Sequence, residues 1–286
     1  MPSLIDIRRR IRSVKSTQQI TKAMKMVSGA KLRRAQDRVL SARPNARMMH
    51  DLLSNVAAAA ARTGDGVEHP LLAVRREERI QLILLTADRG LAGAFNTNLI
   101  KAAQQFVAGR AEAQVEMVLV GRKGADFFRK RNARITAEKI GIFNKIRYAD
   151  AQEVAKVVSQ RFADGEVDSV YLIFNEFKSV MAQKLTQARV LPIEVPEKAR
   201  AVEYILEQTP EQLLNGLLPR YVEGMIYQAL LESSAAEQAA RMTAMDAATS
   251  NAADVIDRLT LFMNRVRQAS ITKEIIEIVS GAAALE

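Results

Sequence analysis

Ile7-Arg8-Arg9-Arg10-Ile11-Arg12-Ser13-Val14-Lys15-Ser16-Thr17-Gln18-Gln19-Ile20-Thr21 is the stretch on which the fold turns. Apolar, small or uncharged residues stand at Ile7, Ile11, Val14, Gln18 and Thr21, in steps that alternate four and three. With Lys25 allowed one slot, the steps continue through Ser28, Leu32, Ala35, Val39 and Ala42. A seven-residue repeat of this kind predicts a helix that supercoils left-handed around a partner helix. The middle of the seam is polar, which is unusual for a coiled coil that carries itself. Residues 3–60 hold one glycine, Gly29, and one proline, Pro44. The proline is expected to kink or interrupt the helix near Arg43, because it has no amide proton to donate.

The other end supplies the partner. Residues 208–285 begin with Thr209 as N-cap and Pro210 in the first turn, with Pro219 as a possible kink. A second seam runs Thr249, Ala252, Ile256, Leu259, Met263, Val266 and Ser270. At the rise of a helix this segment extends roughly 100 Å, more than a domain of this size is wide, so most of it must protrude. Two such helices, far apart in sequence, pair most simply as an antiparallel rod.

Between them the period changes. Residues 79–86, 115–120 and 169–175 are apolar runs of strand length, and 183–191 alternates like a strand with one wet face. Helical stretches at 96–109, 121–131 and 150–163 separate them. The expected fold class is α/β: a long antiparallel coiled coil of N- and C-terminal helices plus a small Rossmann-like α/β domain with a largely parallel sheet. The expected divisions are residues 1–62, 76–195 and 208–286, with boundary loops at Gly64-Asp65-Gly66 and Pro192–Lys198.

Composition narrows the function classes. The chain has 286 residues, no cysteine and no tryptophan, so disulfides, thiolate metal sites and cysteine nucleophiles are excluded. No apolar run reaches spanning length, and Arg8-Arg9-Arg10 is not followed by a secretory apolar core, so a membrane is reached only through a partner. Residues 1–50 carry thirteen Lys and Arg against Asp6 and Asp37, a balance of +11, while the whole chain is +10. A basic block of this density predicts an acidic partner, either nucleic acid or an acidic protein surface.

Candidate chemistry is thin. Thr86-Ala87-Asp88-Arg89-Gly90-Leu91-Ala92-Gly93 lies where α/β domains bind phosphate, yet it matches neither a dinucleotide fingerprint nor a P-loop. It reads as a tight strand-to-helix turn, as does Gly121-Arg122-Lys123-Gly124. His50 and His69 have no ligand-spaced partner, and neither Ser233-Ser234 nor Ser270 has a base nearby. Glu274 and Glu277 form an acid pair on a helix end with no pocket to tune it. On residues alone, a coiled-coil nucleic-acid-binding protein and a nucleotide-dependent enzyme built on the α/β body stay open beside a non-catalytic shaft.

Four segments go further. Ile271-Thr272-Lys273-Glu274-Ile275-Ile276-Glu277-Ile278-Val279-Ser280-Gly281-Ala282 closely resembles a signature of the gamma subunits of bacterial F-type ATP synthases. Ile20–Val27, Asp88-Arg89-Gly90-Leu91 with Gly93 and Asn96, and Ser234–Met242 support the resemblance in the same order, and it covers nearly the whole chain. Ala92 departs from it, since many members carry cysteine there, and the cysteine insertion of chloroplast members is missing.

The resemblance implies a central rotor shaft that couples proton flow to ATP synthesis or hydrolysis and regulates the ATPase without an active site or cofactor of its own. Implied partners are the alpha and beta subunits of the catalytic ring, the epsilon subunit and the ring of c subunits, with no nucleic acid and one copy per complex. The implied location is the cytoplasmic face of the bacterial inner membrane, held there peripherally. Residue by residue, Met24 and Lys25 match a neck passing an acidic loop of beta, and Arg241 a position coupled to that neck. Arg267, Gln268, Thr272 and Glu274 match contacts to beta higher on the shaft, and Tyr204 and Glu207 the foot facing the c ring.

Overall fold

A computed structural model describes residues 3–63, 69–194 and 209–283. Ten elements carry the fold: α1 (Leu4–Thr63), β1 (Arg79–Leu85), α2 (Phe95–Ala108), β2 (Gln114–Val120), α3 (Arg122–Arg129), β3 (Ile135–Lys139), α4 (Tyr148–Ala163), β4 (Ser169–Phe177), β5 (Gln183–Leu191) and α5 (Pro210–Ala283). They divide into two compact units. One is Met1–Ser28 with Met242–Glu286, and the other is Gly29–Arg241.

In the larger unit the sheet order is β3-β2-β1-β4-β5. Strand β1 pairs parallel with β2 and β4, β2 pairs parallel with β3, and β5 closes the far edge antiparallel to β4. Residues 80–85 are all buried, as a central strand covered on both faces requires. Val154, Val158 and Phe162 of α4, with Leu99, Ala103 and Phe106 of α2, fill the helix layers of the core. Gln81 is the polar exception in β1. Its amide donates to Thr136 of β3 at 3.3 Å, and its carbonyl oxygen takes the Arg161 guanidinium of α4. Strand β3 was not expected. It has five residues, Ile-Thr-Ala-Glu-Lys, too short and too polar to stand out as an apolar run.

Pro44 does not interrupt α1, which is a correction to the sequence reading. The missing bond would have gone to the carbonyl of Leu40, and both residues are exposed, so water is available to that oxygen. The turn is also anchored from inside. Arg43 donates from Nε to Glu232 Oε1 (3.0 Å) and from Nη2 to Glu232 Oε2 (3.2 Å) and the Phe177 carbonyl (2.9 Å), and Phe177 N donates to Glu232 Oε2 (3.0 Å). That knot joins α1, α5 and the end of β4. Pro219 likewise lies within an unbroken α5. Thr209 caps α5 as expected, its hydroxyl accepting from Gln212 N at 3.4 Å.

The smaller unit pairs the first turns of α1 with the later part of α5. Thr21 and Thr249 share a hydrogen bond of 2.8 Å, and Lys25 Nζ lies 2.5 Å from Asp246 Oδ1. Residue numbers rise on one helix as they fall on the other, so the pair is antiparallel. The seam positions Ile7, Ile11, Val14, Gln18 and Thr21 are buried or half-buried among exposed neighbours, and so are Ala252, Ile256, Leu259, Met263 and Val266.

Candidate functional site

The neck residues lie in the smaller unit. Met24 is half-buried, and Lys25 reaches Asp246 with the two side chains 42% and 60% exposed. Such a pair stabilises by at most about 1 kcal/mol and is screened by salt. Toward the start of α1, Arg8, Arg9, Arg10, Arg12, Lys15 and Lys22 are exposed, with no ion pair among the described residues. This cationic face has no aromatic side chain between its charges, so it offers nothing on which a base can stack.

Further along α5, Arg267, Gln268, Thr272 and Glu274 are all exposed. Thr272 donates to the Gln268 carbonyl at 2.9 Å, and Ser270 to Glu274 at 3.4 Å, while the Arg267 guanidinium has no partner among the described residues. Every residue from Ile271 to Ser280 is exposed, including Ile271, Ile275, Ile276, Ile278 (71% exposed) and Val279. At 100° per residue these five span close to half the circumference, too wide for a single seam. Tyr204 and Glu207 lie outside the described residues.

Arg241 sits in the larger unit and is enclosed. Its Nη2 donates to Glu237 Oε1 at 2.6 Å, to the Gly90 carbonyl at 3.2 Å and to the Arg89 carbonyl at 3.5 Å, and the two side chains are only 9% and 6% exposed. Burial pushes the Glu237 carboxyl upward, and the Arg241 cation, opposing this, does not cancel it.

The loop that receives Arg241 is built for rigidity. Leu91 (φ 62°) and Gly93 (φ 55°) are left-handed, and Asn96 Oδ1 accepts from Ala87 N at 2.9 Å. Asp88 Oδ1 accepts from Arg122 N (3.1 Å), at the start of α3, and from Gly141 N (3.0 Å). A carboxylate of the chain itself therefore takes up the amides at which a bound phosphate would dock. Thr86 closes the space behind it, its hydroxyl accepting from Gly124 N at 2.9 Å, and a Cβ on Gly121 would stand 1.9 Å from the Thr86 carbonyl oxygen. The tight-turn reading of both loops thus has a physical basis.

A groove of about 690 Å³ opens between α4, the turn Pro70–Leu72 and the start of α5, with His69, Gln152, Glu153 and Glu223 on its walls. Glu223 accepts from Tyr148 Oη (2.9 Å) and Gln152 Nε2 (3.1 Å). Burial and then this carboxylate push the Tyr148 phenol up to about 12. Among the described residues no three His, Asp or Glu side chains gather closely enough to hold a metal ion.

Sequence reasoning missed the knot at Arg43 and the acceptors of Arg241. Glu237 and Arg241 are spaced i, i+4, a pairing visible in the sequence, but carbonyl acceptors have no side-chain signature.

Comparison with known proteins agrees over the whole chain. A family model described as ATP synthase matches residues 3–285. The ATP synthase gamma chain of Solibacter usitatus is 63% identical over 286 residues, and that of Pelotomaculum thermopropionicum 53% over 289, each alignment covering all of both chains. Among solved structures, a chain of the Euglena gracilis mitochondrial ATP synthase (OSCP, F1 and c-ring) superposes with TM-score 0.68 at 18% identity, covering 99% of this chain and 94% of that one. A chain of the Tetrahymena thermophila mitochondrial ATP synthase central stalk and c-ring gives 0.62 at 24%, covering 80% and 99%. At these identities the structural likeness speaks for the fold.

Proposed function

The chain belongs to the ATP synthase gamma-chain family, and from that premise we propose that it is the central-stalk rotor subunit of a proton-translocating F-type ATP synthase. Proton flow through a ring of c subunits turns it, and it carries the rotation into a catalytic ring of alpha and beta subunits. ATP is made and hydrolysed on those subunits, and this chain supplies coupling and regulation, one copy to each complex. The epsilon subunit and the c ring hold its α/β end, with Tyr204 and Glu207 on the side of the c ring. Its place is the cytoplasmic face of the inner membrane, reached through those partners, and no described helix is long and apolar enough to cross a bilayer.

The observation that carries this reading is the bare end of α5. Ile271, Ile275, Ile276, Ile278 and Val279 are exposed over a wide arc of one helix, which water disfavours and a surrounding sleeve of subunits satisfies. Beside them Arg267, Gln268, Thr272 and Glu274 present polar groups that can bond one beta subunit at a time. Met24 and Lys25 meet an acidic loop of beta at the neck, and the cationic face of α1 adds long-range attraction.

Affinity capture of the tagged chain at moderate salt tests this: alpha, beta, epsilon and c subunits should co-purify. Salt-sensitive retention of random DNA in their place would contradict it. A finer test uses ATP synthesis in inverted membrane vesicles with subunit content checked by gel. Losing a directed bond from a desolvated contact costs about 1–3 kcal/mol, so Arg267→Ala should impair synthesis strongly. A sleeve needs shape and apolar surface, so Ile276→Leu and Val279→Ala should be mild. The reverse ranking would sink the division between polar catch and apolar bearing.

A further inference from the structure

We infer that Arg241, oriented by Glu237, is a positioning residue that clasps α5 to the loop 86–93, so that the loop and the helix turn as one body under load. The inference rests on the rotor reading and adds to it the place where the α/β domain grips its helix.

Three observations carry it. The first is that the receiving loop cannot yield easily. Leu91 and Gly93 hold left-handed backbone, Asn96 and Asp88 fix its amides and those of the neighbouring loops, and Thr86 fills the space under Gly121. A tether to such a loop transmits force instead of stretching it.

The second is the giving side. From Ala229 to Arg241 ten of the thirteen residues of α5 are buried, including Leu230, Leu231, Ala235, Ala236 and Ala239, so the helix there has neighbours on more than one face. Apolar packing alone resists separation, but it is non-directional and weakly resists sliding or rotation of a smooth alanine-rich surface. Arg241 adds direction, with one nitrogen reaching two consecutive carbonyls of the loop and a carboxylate one turn back on its own helix.

The third is cost. An ion pair buried this deeply is a poor stabiliser compared with apolar side chains of similar volume, so stability alone does not account for it. Glu237 also faces Asp88 of the loop, a like charge, and Lys31 of α1. The buried Oδ2 of Asp88 finds no hydrogen-bond partner among the described residues. An arrangement that carries these penalties and delivers geometry fits a part that must hold register under torque.

The chain has no cysteine, which makes a repair experiment clean. A Cβ at Gly90 meets only Lys123 Cε, at 3.7 Å, so Gly90→Cys fits without strain. The variant G90C/E237Q/R241C removes the clasp without leaving Glu237 as an orphan buried charge. It is assembled with partner subunits free of reactive cysteine and assayed for ATP synthesis before and after treatment with a bismaleimide about as long as an arginine side chain. Before cross-linking, synthesis should fall about tenfold, the size expected for losing one charge-assisted bond, with subunit content normal. After cross-linking within the chain, confirmed by mass, at least half should return. Normal synthesis before treatment overturns the inference, and so does a loss that persists once the cross-link has formed. If the variant does not assemble, Arg241→Lys is measured instead. It keeps the charge and gives up the planar fork, and synthesis equal to that of the unaltered chain counts against the clasp. Failure of the rotor reading itself would show earlier, as an unaltered chain that neither joins alpha and beta nor supports synthesis.

Discussion

Residues 229–241 and 267–280 belong to one helix, α5, and their surroundings are opposite. The first stretch has four of its five alanines, both leucines and even its charges buried, with Glu232 bonded to Arg43 and the Phe177 amide, and Glu237 bonded to Arg241. The second leaves five large aliphatic side chains and an arginine in water. Helix propensity favours the first, with its Ala, Leu, Glu and Gln, over the second, with four Ile, a Val and a Thr, yet both are helical. They differ in whether this chain contains the matching surface. The first is completed by the chain's own loops and sheet. On the proposed rotor reading, the second is an incomplete interface that other subunits complete.

Changes in the self-completed region should therefore be felt as stability, and the largest effect is expected at Gly121. Its φ of 94° is left-handed, and a Cβ there would stand 1.9 Å from the Thr86 carbonyl oxygen. Backbone strain and overpacking of about 1–3 kcal/mol each add, so Gly121→Ala should cost about 2–6 kcal/mol in urea unfolding. A cost below 1 kcal/mol would mean that the two loops are softer than their hydrogen bonds imply.

A smaller effect, with a distinctive pH signature, is expected from Glu237. Burial raises its carboxyl in the folded state, so in the window above its ordinary range the folded chain binds more protons than the unfolded one. Stability contributed by this group is fully present below the unfolded value and is lost as pH rises through the raised folded one. Glu237→Gln cannot ionise, so its stability relative to the unaltered chain should climb through that window and level off above it. Denaturation across pH 4–8 reads this directly. A difference independent of pH would contradict the burial argument.

The smallest effect belongs to the neck. Lys25→Ala removes an ion pair with Asp246 that is open to water on both sides, and its cost should stay below about 1 kcal/mol and vanish in molar salt. A thermal shift that survives high salt would mean that the neck is held together more tightly than its exposure suggests.

How far the fold was legible follows from the same contrast. Both seams could be read because period 3.5 leaves its mark wherever one stripe is covered, even by threonine and serine. Four strands stood out as apolar or alternating runs, whereas β3, an edge strand of Ile-Thr-Ala-Glu-Lys, makes its role known only by pairing with β2. Pro44 misled because a local rule was applied without its surroundings, and the Arg43 knot to Glu232 and Phe177 comes from residues 134 and 189 positions away. The loop 86–93 could be placed at a strand end, but Asp88 capping α3 in place of a bound anion depends on side-chain direction. Arg241 was singled out by resemblance, while its acceptors on Arg89 and Gly90 are main-chain oxygens that no pattern of residue types reveals.

The central claim, that one stretch of α5 is complete within the chain and the other is completed by partners, is tested most directly by amide hydrogen exchange. Exchange would be followed in the isolated chain and in the assembled complex. Residues 229–241 should be protected alike in both. Residues 267–280 should exchange rapidly in the isolated chain and slow by at least about a hundredfold on assembly, equivalent to roughly 2.7 kcal/mol of added local stability. Equal protection of 267–280 in the two samples would contradict the account.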